Sequence, residues 1–166
     1  MTKSNIYLIS YIVIISLIFG GCTDFNTPPS VNYVEQLFQS NYSQIEIIVN
    51  FLINSDYRNI YINNADSIMI ADLSKVPIPD KGVVTAIKTL LGTGQYKHIS
   101  KTDTIITFLQ WSGIKDIGCG IVYTSDVTQL AKKHFLTKIV PMSEVGWFYY
   151  IDDYNSWMSG QRAILP

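Results

Sequence analysis

DTIITFLQW at residues 103–111 and GCGIVYTS at 118–125 decide how this chain folds. Both runs are rich in β-branched and aromatic residues and are bounded by polar or glycine residues, which is the composition of strands. YKHIS at 96–100 precedes them, and FLTKIVPM at 135–142 and GWFYYID at 146–152 follow, with a loop or helical turn around Asp126 to Lys133. Lys101-Thr102-Asp103 and Ser143-Glu144-Val145 are short enough for hairpin turns. Strands joined so closely pair antiparallel, so a β-meander without crossovers is expected.

Toward the N-terminus, YRNIYIN at 57–63 and SIMIADL at 67–73 read as two more strands around the turn Asn63-Asn64-Ala65-Asp66. Pro77 and Pro79 then argue against regular structure. Asp80 is placed to cap a helix whose Val83, Val84, Ile87, Leu90 and Leu91 share a face until Gly92 offers a stop. An earlier helix is expected from Asn32, as N-cap with Glu35 three residues on, to about Asn54. Val34, Leu37, Phe38, Tyr42, Ile45, Ile48, Val49 and Leu52 form its apolar stripe, with a kink near Ser40-Asn41 and a restart at Ser43 and Glu46. The expected fold is α+β, with the N-terminal helices packed on one face of the antiparallel meander.

The first residues are organised differently. Lys3 is followed by an uncharged run from Ile6 to Phe19 and then by Gly20-Gly21-Cys22, the order and size of a secretory signal. A helix over that run would be about 21 Å long, short of the roughly 30 Å hydrocarbon core of a bilayer. Phe19-Gly20-Gly21-Cys22 resembles the lipobox of bacterial lipoproteins, departing from the commonest pattern, which has Leu where Phe19 stands and Ala or Ser where Gly20 stands. The resemblance covers the signal alone. It implies a diacylglyceryl group on Cys22 through a thioether, cleavage between Gly21 and Cys22, and residence on the extracytoplasmic side of the cell membrane or the outer membrane. Residues 1–21 are then the signal peptide, 22–31 the lipidated cysteine and a short tether stiffened by Pro28-Pro29, and 32–166 a single globular domain.

Without residues 1–21, eleven basic residues face thirteen acidic ones, a mature net charge of −2. That balance does not favour a nucleic-acid partner. With Cys22 lipidated, Cys119 is the one remaining thiol, so the domain has no intramolecular disulfide and its stability comes from packing.

Gly118-Cys119-Gly120 with His98 or His134 has the residue types of a thiol nucleophile and its base. The structural alternative makes Cys119 a small buried strand residue whose flanking glycines mark a bulge or a close backbone approach. Asp152-Asp153 with Asn155 lacks the order of a calcium loop and reads as a solvated turn, and the two histidines lack paired metal-ligand spacing. Leu91-Gly92-Thr93-Gly94 is not followed by the Lys-Ser or Lys-Thr of a phosphate cradle, so neither metal nor cofactor is expected.

Trp147-Phe148-Tyr149-Tyr150 is the remaining signal. In a strand Trp147 and Tyr149 share one face and Phe148 and Tyr150 the other, so one pair serves the core. Trp147, Tyr149, Tyr154 and Trp157 are therefore a candidate docking face, against the alternative that every ring is core. The function expected is a membrane-anchored, non-catalytic binding domain for a protein partner, with toxin neutralisation and envelope scaffolding both open. A small hydrolase using Cys119 with His98 or His134 is the alternative.

Overall fold

The computed structural model describes residues 27–113, 116–133 and 135–156. They form a mixed α/β fold built on one eight-stranded antiparallel sheet. In chain order the elements are α1 (Val31–Ser40), α2 (Tyr42–Ile53), β1 (Asn59–Ile62), β2 (Ser67–Ile70), β3 (Lys75–Pro77), α3 (Lys81–Gly92), β4 (His98–Thr102), β5 (Ile105–Ser112), β6 (Ile117–Tyr123), α4 (Val127–Ala131), β7 (Leu136–Pro141) and β8 (Trp147–Asp153). The strand order is β3-β2-β1-β4-β5-β6-β8-β7. The expected meander holds only for β4-β5-β6: α3 carries the chain from the edge strand β3 past β2 and β1 to β4, which pairs with β1, and β8 inserts between β6 and β7, leaving β7 as one edge and β3 as the other.

Two local readings change. The first helix starts at Val31, and Ser30 rather than Asn32 caps it, its Oγ accepting from the Tyr33 backbone N–H at 3.3 Å. The break at Asn41 is complete: its Nδ2 donates to the Leu37 carbonyl at 2.8 Å and separates α1 from α2. Pro77 does sit in a strand, because β3 is an edge strand three residues long and a missing N–H costs little where no further strand pairs. The α3 reading is met at both ends, with the Asp80 carboxylate accepting from Gly82 and Val83 N–H at 2.6 and 3.1 Å and the helix closing at Gly92.

Residues paired directly across antiparallel strands lie on one face of the sheet. One row runs Ile62, Ile99, Phe108, Ile121 and Tyr149, and beside it Ile60, Lys101, Ile106, Tyr123 and Trp147. This first face shares a continuous core with Val34 and Phe38 of α1, Ile45, Ile48 and Leu52 of α2, and Ile87 and Leu90 of α3. Lys101 is the one charged residue buried there. Its ammonium donates to the Leu52 and Ser55 carbonyls at 2.7 and 2.9 Å, closing the C-terminal end of α2, and burial pulls its pKa below the usual lysine range. The second face carries a smaller core of Ile105, Val122, Leu130 and Tyr150.

β5 and β6 shift register between Leu109 and Trp111, leaving Gln110 as the extra residue of a bulge. Gly120 lies opposite, where a Cβ would fall 2.1 Å from the Phe108 carbonyl oxygen. The glycines flanking Cys119 thus mark a close backbone approach, as the structural reading of that motif expects.

The segment before α1 is part of the fold. The Tyr149 hydroxyl donates to the Pro29 carbonyl at 3.0 Å, and Val31 packs against the main core. A chain starting at Asn32 loses both the Ser30 cap and the acceptor for Tyr149. It is expected to fold but to be about 1–3 kcal/mol less stable than a chain starting at Thr27, from the cost of a lost cap and of an unpaired hydroxyl. Urea unfolding of the two chains measures the difference, and equal midpoints would show that residues 27–31 contribute nothing.

Candidate functional site

The residues singled out in the sequence do not converge. Trp147 and Tyr149 are only 4 % and 2 % exposed and belong to the main core, so the docking face expected of them is corrected to core packing. Trp147 touches the rings of Phe38, Phe108 and Tyr123, with centroids 4.8, 5.9 and 5.2 Å away. Tyr154 is 49 % exposed, while Trp157, Gly21 and Cys22 lie outside the described residues. Cys119 is fully buried on the first face, and burial pushes its thiol up to about 11. His98 lines a pocket on the second face, through Leu109 and Gly120 in register, so the sheet separates it from Cys119. His134 lies outside the described residues.

What the structure does assemble is a pocket of about 330 Å³ on the second face. That volume is at the lower end for small-molecule sites. Ile105, Leu109, Val122 and Tyr150 form its sheet floor, and Leu130 of α4 with Phe135 and Leu136 forms a wall. Ser100 and Thr107 face it side by side, their hydroxyls 2.5 Å apart. Gly118 and Gly120, two residues apart on β6, both lie on this face; the Asp152 carboxylate takes the place of a Gly118 side chain and the Phe108 carbonyl that of a Gly120 one, and of the two Gly118 lines the pocket. Their neighbours on β8 in register are Asp152 and Tyr150.

Asp152 is the chemically distinctive group. It is a strand residue, not the solvated turn residue that the Asp152-Asp153 pair suggests, since β8 continues through Asp153. Its Oδ1 accepts from the Gly118 backbone N–H at 2.5 Å, and a Cβ on Gly118 would lie 2.3 Å from the same oxygen. Burial raises the carboxyl pKa, opposed by the Gly118 hydrogen bond, and the adjacent Asp153 adds to the rise. Asp153 turns the other way and accepts from Ser156 N–H and Oγ at 2.8 and 2.6 Å. Asp116, Ser112, Lys133 and His98 complete the polar lining. His98 is held below the usual imidazole range by burial and then by Lys97, and its ring lies 4.8 Å from that of Tyr61.

The signal for Asp152 was present in the sequence as alternation. In GCGIVY the glycines share a face, and in FYYID Tyr150 and Asp152 share one, but only the β6–β8 pairing sets Asp152 opposite Gly118. No group of three or more His, Cys, Asp or Glu side chains arranged to hold a metal ion occurs among the described residues. Comparisons with protein families, with curated proteins and with solved structures gave no match to this chain.

A carboxyl whose pKa is raised on folding binds its proton more tightly in the native state, so its contribution to stability falls as pH rises from the ordinary carboxylate range through the raised value. Asp152→Asn keeps an acceptor for Gly118 and removes the charge. The variant is expected to melt higher than the natural chain at neutral pH, with the gain shrinking as pH falls from the raised value to the ordinary carboxylate range and gone below it. Thermal unfolding across pH checks this, and an Asn variant that is less stable at neutral pH would contradict it.

Proposed function

We propose that this chain is a lipid-anchored, extracytoplasmic bacterial binding protein that acts without catalysis by holding a ligand in the pocket on the second face of its sheet. In this reading α1 to α3 form one layer on the first face, serving the core, and the second face is left for recognition. The observation that carries it is the pocket itself, where a glycine-lined hollow is furnished with one carboxylate whose desolvation the fold does not offset with an ion pair among the described residues. Groups that cost stability and sit in a cavity are where binding sites concentrate.

The anchor half of the proposal comes from the lipobox-like FGGC at 19–22. Pro29, seven residues after Cys22, is tied to Tyr149, so the body would stand within about 25 Å of the lipid surface. No helix among the described residues is long and apolar enough to cross a membrane. Two or more acyl chains on one cysteine give stable attachment, whereas one gives only marginal binding. With Trp147 and Tyr149 in the core, the protein partner expected from those rings gives way to a smaller ligand as the reading the geometry favours. The hydrolase alternative gains nothing from Cys119 with His98, which lie on opposite faces of the sheet, and its other base, His134, lies outside the described residues.

Expression in a bacterial host is expected to give a membrane-bound protein whose mature mass begins at an acylated Cys22, and Cys22→Ser to give a released or unprocessed chain. An intact Met1 on the natural protein would end the anchor reading. A fragment screen followed by methyl NMR is expected to place hits against Leu109, Val122 and Leu130. Hits scattered over the surface would end the pocket reading.

A further inference from the structure

Building on that pocket, we infer that its ligand is a small organic cation, an ammonium group carried on an apolar body, with the Asp152 carboxylate as its charge partner. Three observations point the same way. The carboxylate is fixed rather than mobile, since Oδ1 is held by the Gly118 N–H at 2.5 Å in space that only a glycine leaves open. Neither ion pair among the described residues, Arg58–Asp103 or Lys88–Asp66, involves it. Beside it the sheet floor of Ile105, Leu109, Val122 and the Tyr150 ring offers an apolar surface that would receive a hydrocarbon or ring.

The charges around the cavity favour a cation. Among the described lining residues two carboxylates, Asp152 and Asp116, face one ammonium, Lys133, while burial disfavours the charged form of His98. Asp116 is exposed and accepts from Asn155 Nδ2 at 3.1 Å, whereas Asp152 is half-buried beside the floor, so Asp152 is the group placed to receive the ligand. Ser100 and Thr107 satisfy each other and do not require a ligand. A metal ion fits this lining poorly, because hard cations take six or more oxygen ligands and no group of three or more His, Cys, Asp or Glu side chains placed to hold one occurs among the described residues. An anion directed at Lys133 would share the cavity with the desolvated Asp152 carboxylate. An alkylammonium instead supplies several donors to one carboxylate, a charge-assisted contact that strengthens as water is excluded.

The experiment uses the full-length protein in lipid nanodiscs and three probes with one body: 2-phenylethylamine, 2-phenylethanol and phenylacetate. Binding is measured by titration calorimetry and located by methyl shifts at Leu109 and Val122. The amine is expected to bind in the pocket on the order of tenfold or more tighter than the alcohol, with phenylacetate weaker still, the ratio expected of a hydrogen bond to a charged group. Asp152→Asn is expected to reduce the amine to the level of the alcohol, and Gly118→Ala, which puts a methyl where Oδ1 sits, to do the same. Equal binding of amine and alcohol in the pocket would overturn the inference and leave the binding-pocket reading standing. Tighter binding of phenylacetate, or undiminished amine binding by Asp152→Asn, would overturn it in favour of Lys133 or of packing alone. Absence of pocket shifts with all three probes would overturn the inference, and a fragment screen equally without pocket hits would remove the reading beneath it.

Discussion

Strand β6 is buried on both faces from Gly118 to Val122, and the rest of the architecture answers to that fact. A strand in the middle of an antiparallel sheet usually shows one face to water and alternates accordingly. Here Cys119 and Ile121 enter the main core while Val122 joins the smaller one with Ile105, Leu130 and Tyr150. The main core has the long apolar stripes of α1, α2 and α3 to draw on. Among the described residues the smaller core is covered by the five-residue α4 and the chain that follows it, a much smaller apolar surface. A cavity results from that inequality of cover.

The bulge at Gln110 and the glycines on β6 belong to one device. Gly120 permits the close approach of Phe108 and so the register shift, and Gly118 permits the Asp152 carboxylate to lie against the strand. Bulges are common beside functional sites because they re-aim side chains that strict alternation would fix. At the bulge the Gln110 carboxamide and the Tyr96 hydroxyl are buried with little more than each other as polar company among the described residues, and burial raises the Tyr96 phenol to about 12, opposed by Gln110. Polar groups left in that state cost stability. The distortion around β5 and β6 is therefore retained against a penalty on both faces of the sheet.

Local signals in the sequence were sufficient for elements whose causes are local. Asp80 and Gly92 bound α3 because a cap and a stop act within one turn, and the strands β4 to β8 show in β-branched and aromatic runs. Ser30 was overlooked for Asn32 because both are good caps, and the choice depends on Val34, Leu37 and Phe38 reaching the core together. β3 was overlooked because a proline argues against a strand unless the strand is known to be an edge. The site lay beyond such reasoning. Asp152 beside Asp153 looks like surface until pairing with β6 places Gly118 across from it, and Trp147 and Tyr149 could not be assigned a face until Phe38 was known to meet Trp147.

The two ends of the sheet bear on how the molecule behaves among its own copies. An edge strand offers unpaired backbone groups to any neighbour, and proteins crowded on a surface meet neighbours often. At one end β3 has only three residues, its last is Pro77, and Pro79 follows two positions later. At the other, β7 carries the charged Lys138 at its centre, breaks register beside it, and closes on Pro141. Neither border presents a long, flat, apolar template. The sheet is thus built to stay eight strands wide, and molecules at high concentration would pass one another without their sheets fusing into one.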